Sequence, residues 1–400
     1  MPTRSAATLL VASVSVASGA ARSVTSVTLT AGPGRRPGVT TSGNVVVGWD
    51  GGCESRLGAG DEHAGRERRR CRVVRAAVIG CGDVSVVHLE AIGRIEGSEL
   101  VAVCDLDAEV ARRVGERYGV PGFTDPRVMI EAVQPDVVQI STPHDQHVDP
   151  AITCLEAGVA VLSEKPVAAT VAEAERLVRW TADHPDATVG ICFQNRYNAT
   201  SLAVRELLAS GELGAVRGAF ATVAWHRSPA YYQARPWRGE RTHSGGGALI
   251  NQAIHTVDLL QWFLGDVTAV GGRAGTYLLA DVIDVEDSAQ LILDHPGGVR
   301  SVCFATNTAA VDFPVGIDIA TENAMLSIRG DLTISWADGR VDVVPERRAE
   351  SGGRSYWGVS HELLIADFHA QAAAGKPFWI DPAEGIKALE IIEQVYALSR

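Results

Sequence analysis

The chain of 400 residues is 46% hydrophobic, 21% charged and 6% aromatic, a composition typical of a globular protein with two or three domains. The net charge of −12 argues against a general nucleic-acid-binding protein, because phosphate neutralisation requires a basic face. The sequence has no apolar run near the roughly 18 residues of a membrane span, and its seven scattered cysteines include no C-x-x-C pair. We therefore expect no nucleic-acid partner, no membrane partner and no disulfide framework.

Residues 1–72 differ from the rest of the chain. Ser, Thr, Gly, Ala and Arg dominate them, and they sustain no helical or strand periodicity. This composition predicts a disordered extension, or a start codon assigned too early. Residues 6–17 loosely resemble a signal peptide, but Ser and Thr dilute the apolar run and no twin-arginine pair precedes it. We expect a cytoplasmic protein, with export as the alternative.

Between residues 73 and 195, short apolar strands alternate with helices of roughly 10 to 15 residues, which indicates a parallel sheet covered on both faces. This region is predicted to be a doubly wound α/β domain. The predicted strands are Val73–Ile79, Leu100–Cys104, Val137–Ser141, Ala160–Leu162 and Thr188–Phe193, with a helix at Ala108–Tyr118.

Residues 196–400 have a different pattern. Helices are predicted at Ala199–Ala209 and roughly Ala248–Leu264, and the last 40 residues are helical again. Between them, Gly, Asp and Pro punctuate short β-like segments, as antiparallel connections require. We predict a C-terminal α+β domain with an open, mostly antiparallel sheet. Its strands are Ala219–Trp225, Ser288–Leu293, Val299–Ala305, Val315–Ala320, Ala324–Ile328 and Leu332–Trp336.

A glycine-rich turn, Gly80-Cys81-Gly82-Asp83-Val84-Ser85, follows the first strand. Glycines there permit a tight turn and let the backbone approach a pyrophosphate at a helix N-terminus, so Gly80, Gly82, Asp83 and Val84 are predicted to contact a dinucleotide. Ser85 stands where the fingerprint prefers Gly or Ala, and an ordinary strand–helix turn is the alternative.

Asp105 lies at the end of the second strand, 25 residues after the first glycine. A carboxylate there can accept hydrogen bonds from both ribose hydroxyls and repels a 2′-phosphate, and no arginine follows it directly. The sequence therefore favours NAD over NADP. The alternative for Asp105 is a helix N-cap.

The segment Ser141-Thr142-Pro143-His144 ends a later strand, with His147 three residues on. Ligands of open α/β sheets lie outside the carboxyl ends of the strands, so Thr142, Pro143, His144 and His147 are predicted cofactor contacts. The two histidines resemble a metal pair, but no third ligand is evident and no metal is predicted.

Glu164-Lys165-Pro166 ends the next strand. A lysine there would project towards the cofactor, where partial burial and the cofactor's charge lower its pKa and suit it to donate or accept a proton. A surface lysine in a proline-closed turn is the alternative.

Gly245-Gly246-Gly247 precedes a helix that carries Asn251 and His255, four residues apart and so on one helical face. Three glycines suggest backbone brought close to another group, although a lone histidine is more often a packed core residue. Asp258 is expected to be structural, capping or pairing within the helix.

In order and spacing, these motifs resemble the Gfo/Idh/MocA family, the glucose–fructose oxidoreductase and inositol dehydrogenase superfamily, over roughly 330 residues from Val73. The resemblance also rests on Gln194-Asn195-Arg196-Tyr197. It implies an N-terminal Rossmann domain, and a C-terminal sheet that serves a homo-oligomer, dimer or tetramer.

By the same resemblance, Lys165 and His255 would flank a substrate hydroxyl beside C4 of the nicotinamide. The family often has Asp where this chain has Asn251, which would then orient the substrate or His255 without taking a proton. Glu164 and Gln194 are implied cofactor contacts. The implied pocket wall, for which interdomain packing is the alternative, is Asn195, Arg196, Tyr197, Trp237 and Arg238.

The implied activity is reversible hydride transfer between NAD and a secondary alcohol or ketone of a sugar, cyclitol or sugar derivative. Two alternatives stay open. One is a non-catalytic NAD-binding sensor or scaffold, and the other is an exported oxidoreductase with a tightly held cofactor.

Overall fold

The computed structural model describes residues 73–347 and 359–400, so the extension predicted for residues 1–72 lies outside the described residues. Two sheets organise the described chain. In this part of the chain, none of the helices combines the length and apolar character of a membrane-spanning segment.

The first sheet is parallel throughout, with the strand order β3-β2-β1-β4-β5-β6 of a doubly wound dinucleotide-binding fold. Both faces are covered, which explains why β4 and β6 are buried along their whole length. The strands are β1 (Val74–Ile79), β2 (Ser98–Cys104), β3 (Gly122–Phe123), β4 (Val137–Ile140), β5 (Ala160–Glu164) and β6 (Val189–Cys192).

Five helices connect these strands, and side-chain caps mark where several of them begin. The Asp107 carboxylate accepts hydrogen bonds from two backbone N–H groups at the start of α2, and Thr170 caps α5 in the same way. The helices are α1 (Ser85–Arg94), α2 (Ala108–Tyr118), α3 (Pro126–Val133), α4 (Val148–Glu156) and α5 (Val171–Asp183).

The second sheet has eight strands in the order β14-β13-β12-β11-β7-β10-β9-β8, and every neighbouring pair is antiparallel except β7 with β10. The prediction of an open, mostly antiparallel sheet is confirmed. The strands are β7 (Val216–Ala224), β8 (Ala269–Gly275), β9 (Ser288–Asp294), β10 (Arg300–Thr306), β11 (Gly316–Thr321), β12 (Ala324–Arg329), β13 (Asp331–Trp336) and β14 (Val341–Val344).

Helices from the second half of the chain pack against both sheets. The helix that follows the three glycines begins with a π-helical turn, Leu249–Ala253, and continues as α9. The helices are α6 (Ala199–Ser210), α7 (Pro229–Gln233), α8 (Arg241–Ser244), α9 (Ile254–Leu264), α10 (Val359–Ala373) and α11 (Pro382–Leu398).

The penultimate helix, α10, packs on the first sheet, against α1, β5 and β6, although our boundary at 195/196 assigns all later residues to the second domain. An ion pair between Arg94 and Glu362, 2.7 Å long, joins α1 to α10. The end of the chain therefore completes the nucleotide-binding domain and brings side chains of α10 behind the cleft described next.

Candidate active site

A cleft of about 730 Å³ opens at the carboxyl ends of the parallel strands and faces the second domain. Most of the predicted site residues line it, although they come from segments up to 175 residues apart in the sequence. The predicted residues that line the cleft are Gly80, Gly82, Asp83, Val84, Asp105, Thr142, Pro143, His144, Glu164, Lys165, Gln194, Asn195, Trp237, Arg238, Asn251 and His255.

The glycine turn after β1 has the shape that a dinucleotide requires. Gly80 has φ +88°, and a Cβ at this position would lie 2.6 Å from the backbone carbonyl carbon of Ser141. A Cβ on Gly82, by contrast, would meet no protein atom within 4 Å. Gly80 therefore lets two strand ends meet, and Gly82 leaves open space in which a phosphate group can approach the backbone.

The Asp105 carboxylate is held beside this turn by backbone groups. One oxygen accepts a hydrogen bond from Cys81 N–H at 2.8 Å, and the other accepts from Asp107 N–H at 3.0 Å. Each oxygen has a further lone pair that can accept a hydrogen bond from a ribose hydroxyl. The next residue, Leu106, is 78% exposed and offers no positive charge to a 2′-phosphate. These residues fit NAD.

Lys165 bridges the two domains across the cleft. Its Nζ donates a hydrogen bond to the backbone carbonyl of Asn251 at 3.2 Å. Burial lowers the pKa of Lys165, the neighbouring Glu164 carboxylate opposes this shift, and the positive charge of Arg238 adds to it. The Lys165 ammonium therefore loses its proton more readily than a lysine in water.

Behind Lys165, a chain of buried hydrogen bonds runs through the first domain. His88 Nε2 lies 2.9 Å from the Glu164 carboxylate, and His88 Nδ1 lies 2.6 Å from the amide oxygen of Gln139. The chain continues from Gln139 to His369 at 3.0 Å, and from His369 to the Ser98 hydroxyl at 2.8 Å. These contacts keep a buried charge in place, as a buried carboxylate requires.

The ionised form of Glu164 is favoured although the side chain is buried. Burial alone would raise the pKa of this carboxyl, but the His88 hydrogen bond and the positive charges around it lower the pKa well below its ordinary value. His88, Glu164 and Cys192 place possible metal ligands within 4.8 Å of one another. Burial raises the pKa of the Cys192 thiol, which disfavours the thiolate that would bind a metal. We therefore interpret these three side chains as a hydrogen-bonded cluster.

His255 faces Lys165 from the other domain. Burial lowers the pKa of the His255 imidazole, and the positive charge of Lys165 lowers it further, so the neutral ring is favoured. Its Nε2 lies 3.5 Å from the Gln194 amide nitrogen, and its buried Nδ1 has no hydrogen-bond partner among the described residues. A neutral imidazole in this position can accept a proton from a hydroxyl group in the cleft.

The hydrogen bond of the Asn251 side chain is made with Gly246, and no hydrogen bond between this side chain and His255 is present among the described residues. The side-chain amide of Asn251 donates a hydrogen bond to the Gly246 carbonyl at 3.2 Å. The backbone carbonyl of Asn251 accepts the hydrogen bond from Nζ of Lys165. The π-helical turn that contains Asn251 places this carbonyl at the cleft. Asn251 therefore orients the lysine through its backbone.

The three glycines lie close to protein groups. A Cβ at Gly245 would lie 1.9 Å from the carbonyl oxygen of Ala169, and one at Gly247 would lie 1.9 Å from that of Glu286. The buried Glu286 carboxylate accepts from Gly247 N–H at 2.8 Å and from Leu249 N–H at 2.9 Å. Glu286, which the sequence analysis missed, thus anchors the start of the helix that carries His255.

Arg196 was expected in the pocket wall, but its side chain is fully buried outside the cleft. It donates to both carboxylate oxygens of Asp258, at 2.9 and 2.5 Å, and pairs with Glu384 at 2.9 Å. A buried guanidinium requires such partners, so this arginine joins α9 to α11. Asp258 is structural, as expected, but its partner lies outside its own helix.

Tyr197 and His147 also lie away from the cleft lining. The Tyr197 hydroxyl donates to Asp367 on α10 at 2.6 Å. His147 is 1% exposed, and its two ring nitrogens lie 2.7 and 3.0 Å from the backbone carbonyls of Pro166 and Thr142. Both side chains bind protein groups and lie behind the cleft lining, and direct ligand contact by either one stays a prediction.

The cleft also contains residues that the sequence analysis missed. Several come from the segment after β7 that includes α7, from the first half of the glycine-led helix and from α10, where no local motif distinguishes them from packing residues. Among them are Trp225, His226, Arg227, Ser228, Tyr231, Arg235, Gln252, Thr256 and His361.

A parallel Rossmann sheet, a glycine turn beside an acidic strand end and a lysine–histidine pair across the cleft together define a two-domain NAD-binding oxidoreductase. Residues 74–190 match the model of an oxidoreductase family with an NAD-binding Rossmann fold, and residues 201–327 match the model of the GFO/IDH/MocA C-terminal domain. The chain belongs to the Gfo/Idh/MocA family, which confirms the predicted family, fold class and cofactor.

Curated relatives and solved structures are similar over most of the described chain. A D-apiose dehydrogenase of Paraburkholderia graminis is 31% identical over 66% of this chain and 70% of its own. An inositol 2-dehydrogenase of Rubrobacter xylanophilus is 28% identical over 77% of this chain and 82% of its own. The WlbA dehydrogenase from Bordetella pertussis, solved with NADH and UDP-GlcNAcA, is 27% identical with a TM-score of 0.71, over 82% of this chain and 97% of that one.

Proposed function

We propose that the protein oxidises a secondary alcohol of a sugar, cyclitol or sugar derivative with NAD, and that Lys165 and His255 handle the proton. The observation that carries this proposal is the position of Lys165, whose Nζ reaches across the cleft to the turn that leads into the helix of His255. The similar relatives named for apiose and inositol support the substrate class.

NAD, when bound, accepts the hydride at C4 of its nicotinamide ring. The Gly80–Val84 turn would hold the pyrophosphate, and the Asp105 carboxylate would accept hydrogen bonds from the hydroxyls of the adenosine ribose. Thr142, Pro143, His144, Glu164 and Gln194 would line the path of the cofactor between that ribose and the reaction centre.

In the oxidation direction, His255 would accept the hydroxyl proton while the carbon-bound hydride leaves, and the product is a ketone. The Lys165 ammonium would stabilise the negative charge that develops on the oxygen. Burial lowers the pKa of His255, so its ring is neutral and ready to accept a proton at neutral pH. Asn195, Trp237 and Arg238 would contact the remainder of the substrate.

A screen of polyols and sugars with NAD, read as NADH absorbance, tests this function. We expect turnover of at least one polyol, with NAD preferred over NADP. NADH binding without turnover of any sugar, cyclitol or acidic sugar would instead indicate a cofactor-binding sensor.

We also propose that a second copy of the chain covers the outer face of the C-terminal sheet. Val302 pairs in register with Ile292 and with Phe220, and all three are exposed, as is Phe304 two residues on. A contiguous apolar patch of this kind on a sheet face is typical of a protein interface. Light scattering should show a dimer or tetramer for the wild type and a smaller particle for Phe304→Asp; equal masses would exclude this face.

A cytoplasmic location is consistent with the cysteines of the described residues. Five of them are free thiols, and four of these are buried. Free thiols persist in a reducing compartment. Cell fractionation would place the protein, and recovery with extracytoplasmic proteins would favour an exported enzyme that holds its cofactor tightly.

A further inference from the structure

The substrate end of the cleft is cationic, although the chain as a whole carries a net charge of −12. Arg227, Arg235 and Arg238 all line it. Asp83 pairs with two of them, Arg235 and Arg238, at 2.9 Å each. Arg227 pairs with Asp312 at 3.2 Å, so three guanidinium groups share two carboxylates and this side of the cleft keeps an excess positive charge.

Arg227 has the geometry of a preformed anion receptor. Its guanidinium carbon lies 4.9 Å from the centre of the Trp225 ring and 5.3 Å from that of Tyr231, so aromatic side chains fix its plane. Nη1 donates to the His226 carbonyl at 2.8 Å and to Asp312 at 3.2 Å. Nε is buried and has no hydrogen-bond partner among the described residues.

The unpartnered Nε lies on the edge of the guanidinium that also carries Nη2. An arginine edge with two parallel N–H groups matches the two oxygens of a carboxylate or phosphate. A buried donor without a partner is unfavourable, so its retention at a cleft wall indicates a ligand acceptor. A neutral hydroxyl would satisfy one N–H group, whereas the two oxygens of an acidic group satisfy both, and its charge offsets the excess positive charge of the three arginines.

This receptor is connected to the reaction centre through Tyr231. The Tyr231 ring contacts the guanidinium of Arg238 at 4.6 Å as well as that of Arg227, and its hydroxyl lies 3.4 Å from the Gln252 amide. Gln252 is next to Asn251, whose carbonyl holds Lys165. Arg238 is also close enough to Lys165 to lower the pKa of that lysine. An anionic group at Arg227 would therefore belong to a ligand that also reaches Lys165 and His255.

We propose that the physiological substrate is a sugar or cyclitol derivative that bears an acidic group, a carboxylate or a phosphate ester, bound by Arg227 with support from Arg238. This inference rests on the proposed function and adds the charge of the substrate. Asp83 would keep Arg235 and Arg238 in place while the acidic group binds to the edge of Arg227 that carries Nε and Nη2.

Matched sugars test the inference through the ratio of kcat/KM values. Glucuronate and galacturonate are compared with glucose and galactose, and glucose 6-phosphate separates a phosphate site from a carboxylate site. We expect the wild type to prefer an acidic sugar over its neutral counterpart. Arg227→Gln should lower this ratio about 10- to 100-fold, because a charge-assisted pair is lost. Arg227→Lys keeps the charge but loses the planar edge, so the ratio should fall by less.

Two controls separate the possible failures. Arg179→Gln removes an exposed arginine whose ion pair among the described residues is with Glu175 on α5, and it should leave the ratio unchanged. The dissociation constant of NADH, from its fluorescence, should be the same for the wild type and Arg227→Gln. An equal weakening of NADH binding would assign Arg227 to the cofactor phosphates and overturn the inference. Neutral sugars preferred by the wild type would overturn it too, with the proposed function intact; no turnover of any sugar, acidic or neutral, would overturn both.

Discussion

The two ends of the cleft are built in different ways. The cofactor end is made of backbone and short turns at consecutive strand ends, with Asp105 as its main charged side chain and Gly82 facing open space. The substrate end is made of long side chains from distant segments, among them Arg227 and Arg238. A dinucleotide has a fixed shape that backbone can match, whereas the substrate is selected by side chains that vary without disturbing the sheet.

Lys165 lies where the two ends meet, so its replacement should have the largest effect on catalysis. Lys165→Met keeps much of the side-chain volume and removes the charge. We expect kcat to fall about 100- to 10,000-fold, because a positioned group that stabilises charge or transfers a proton at the reacting oxygen contributes about that much. NADH binding should be retained. Steady-state kinetics measures kcat, and NADH fluorescence measures cofactor binding. Turnover within a few-fold of the wild type would exclude a catalytic role for Lys165.

Arg196 tests whether an arginine close to the cleft belongs to the fold. Arg196→Met leaves the carboxylate of Asp258 buried without its partner, and Glu384 loses one cation. The free energy of unfolding should fall by about 3–5 kcal/mol. Urea unfolding measures this loss. A variant with normal stability and a raised KM for the substrate would instead show that Arg196 contacts the substrate as part of the pocket wall.

Asp105 tests the cofactor end. Asp105→Asn keeps the size of the side chain and one acceptor oxygen but removes the charge that repels a 2′-phosphate. The ratio of kcat/KM for NAD to that for NADP should fall about 10- to 100-fold, as expected for a lost charged hydrogen bond. An unchanged ratio would show that cofactor choice is made elsewhere.

Glu164 gives the smallest expected effect, a change in the pH dependence of stability. Its pKa in the folded protein lies below the ordinary value of 4.5, so the ionised carboxylate stabilises the fold above that pH and this contribution is lost as the pH falls. Glu164→Gln lacks the contribution at every pH. Its stability deficit should therefore be about 1–2 kcal/mol at pH 7, the scale of a hydrogen bond to a charged group, and shrink towards pH 3. Urea unfolding at both pH values checks this, and a deficit that does not change with pH would contradict it.

Much of the fold was predictable because hydrophobic periodicity is a local signal. The helix Ala108–Tyr118 was predicted with its observed bounds, and most strand ends lie within about three residues of the predicted ones. Two of the missed strands, β8 and β3, have physical explanations. β8 contains three glycines, which weaken the strand signal, and β3 has two residues.

The site was predictable only where its residues form short contiguous motifs. The glycine turn, Asp105 and the Glu164–Pro166 turn fall in this group. Arg196 was misassigned because the partner that buries it, Asp258, lies 62 residues away and carries no sequence mark. His361 and Arg227 enter the cleft through tertiary packing alone, and no local pattern separates them from ordinary surface or core residues.

Direct transfer of a labelled hydride tests the central claim, that this cleft oxidises a sugar alcohol with NAD. The best substrate of the polyol screen is deuterated at the carbon that becomes the ketone, and the NADH formed is examined by NMR. We expect deuterium to appear at C4 of the nicotinamide and the product to be the ketone. Deuterium released into water, or a sugar consumed without NADH formation, would contradict it.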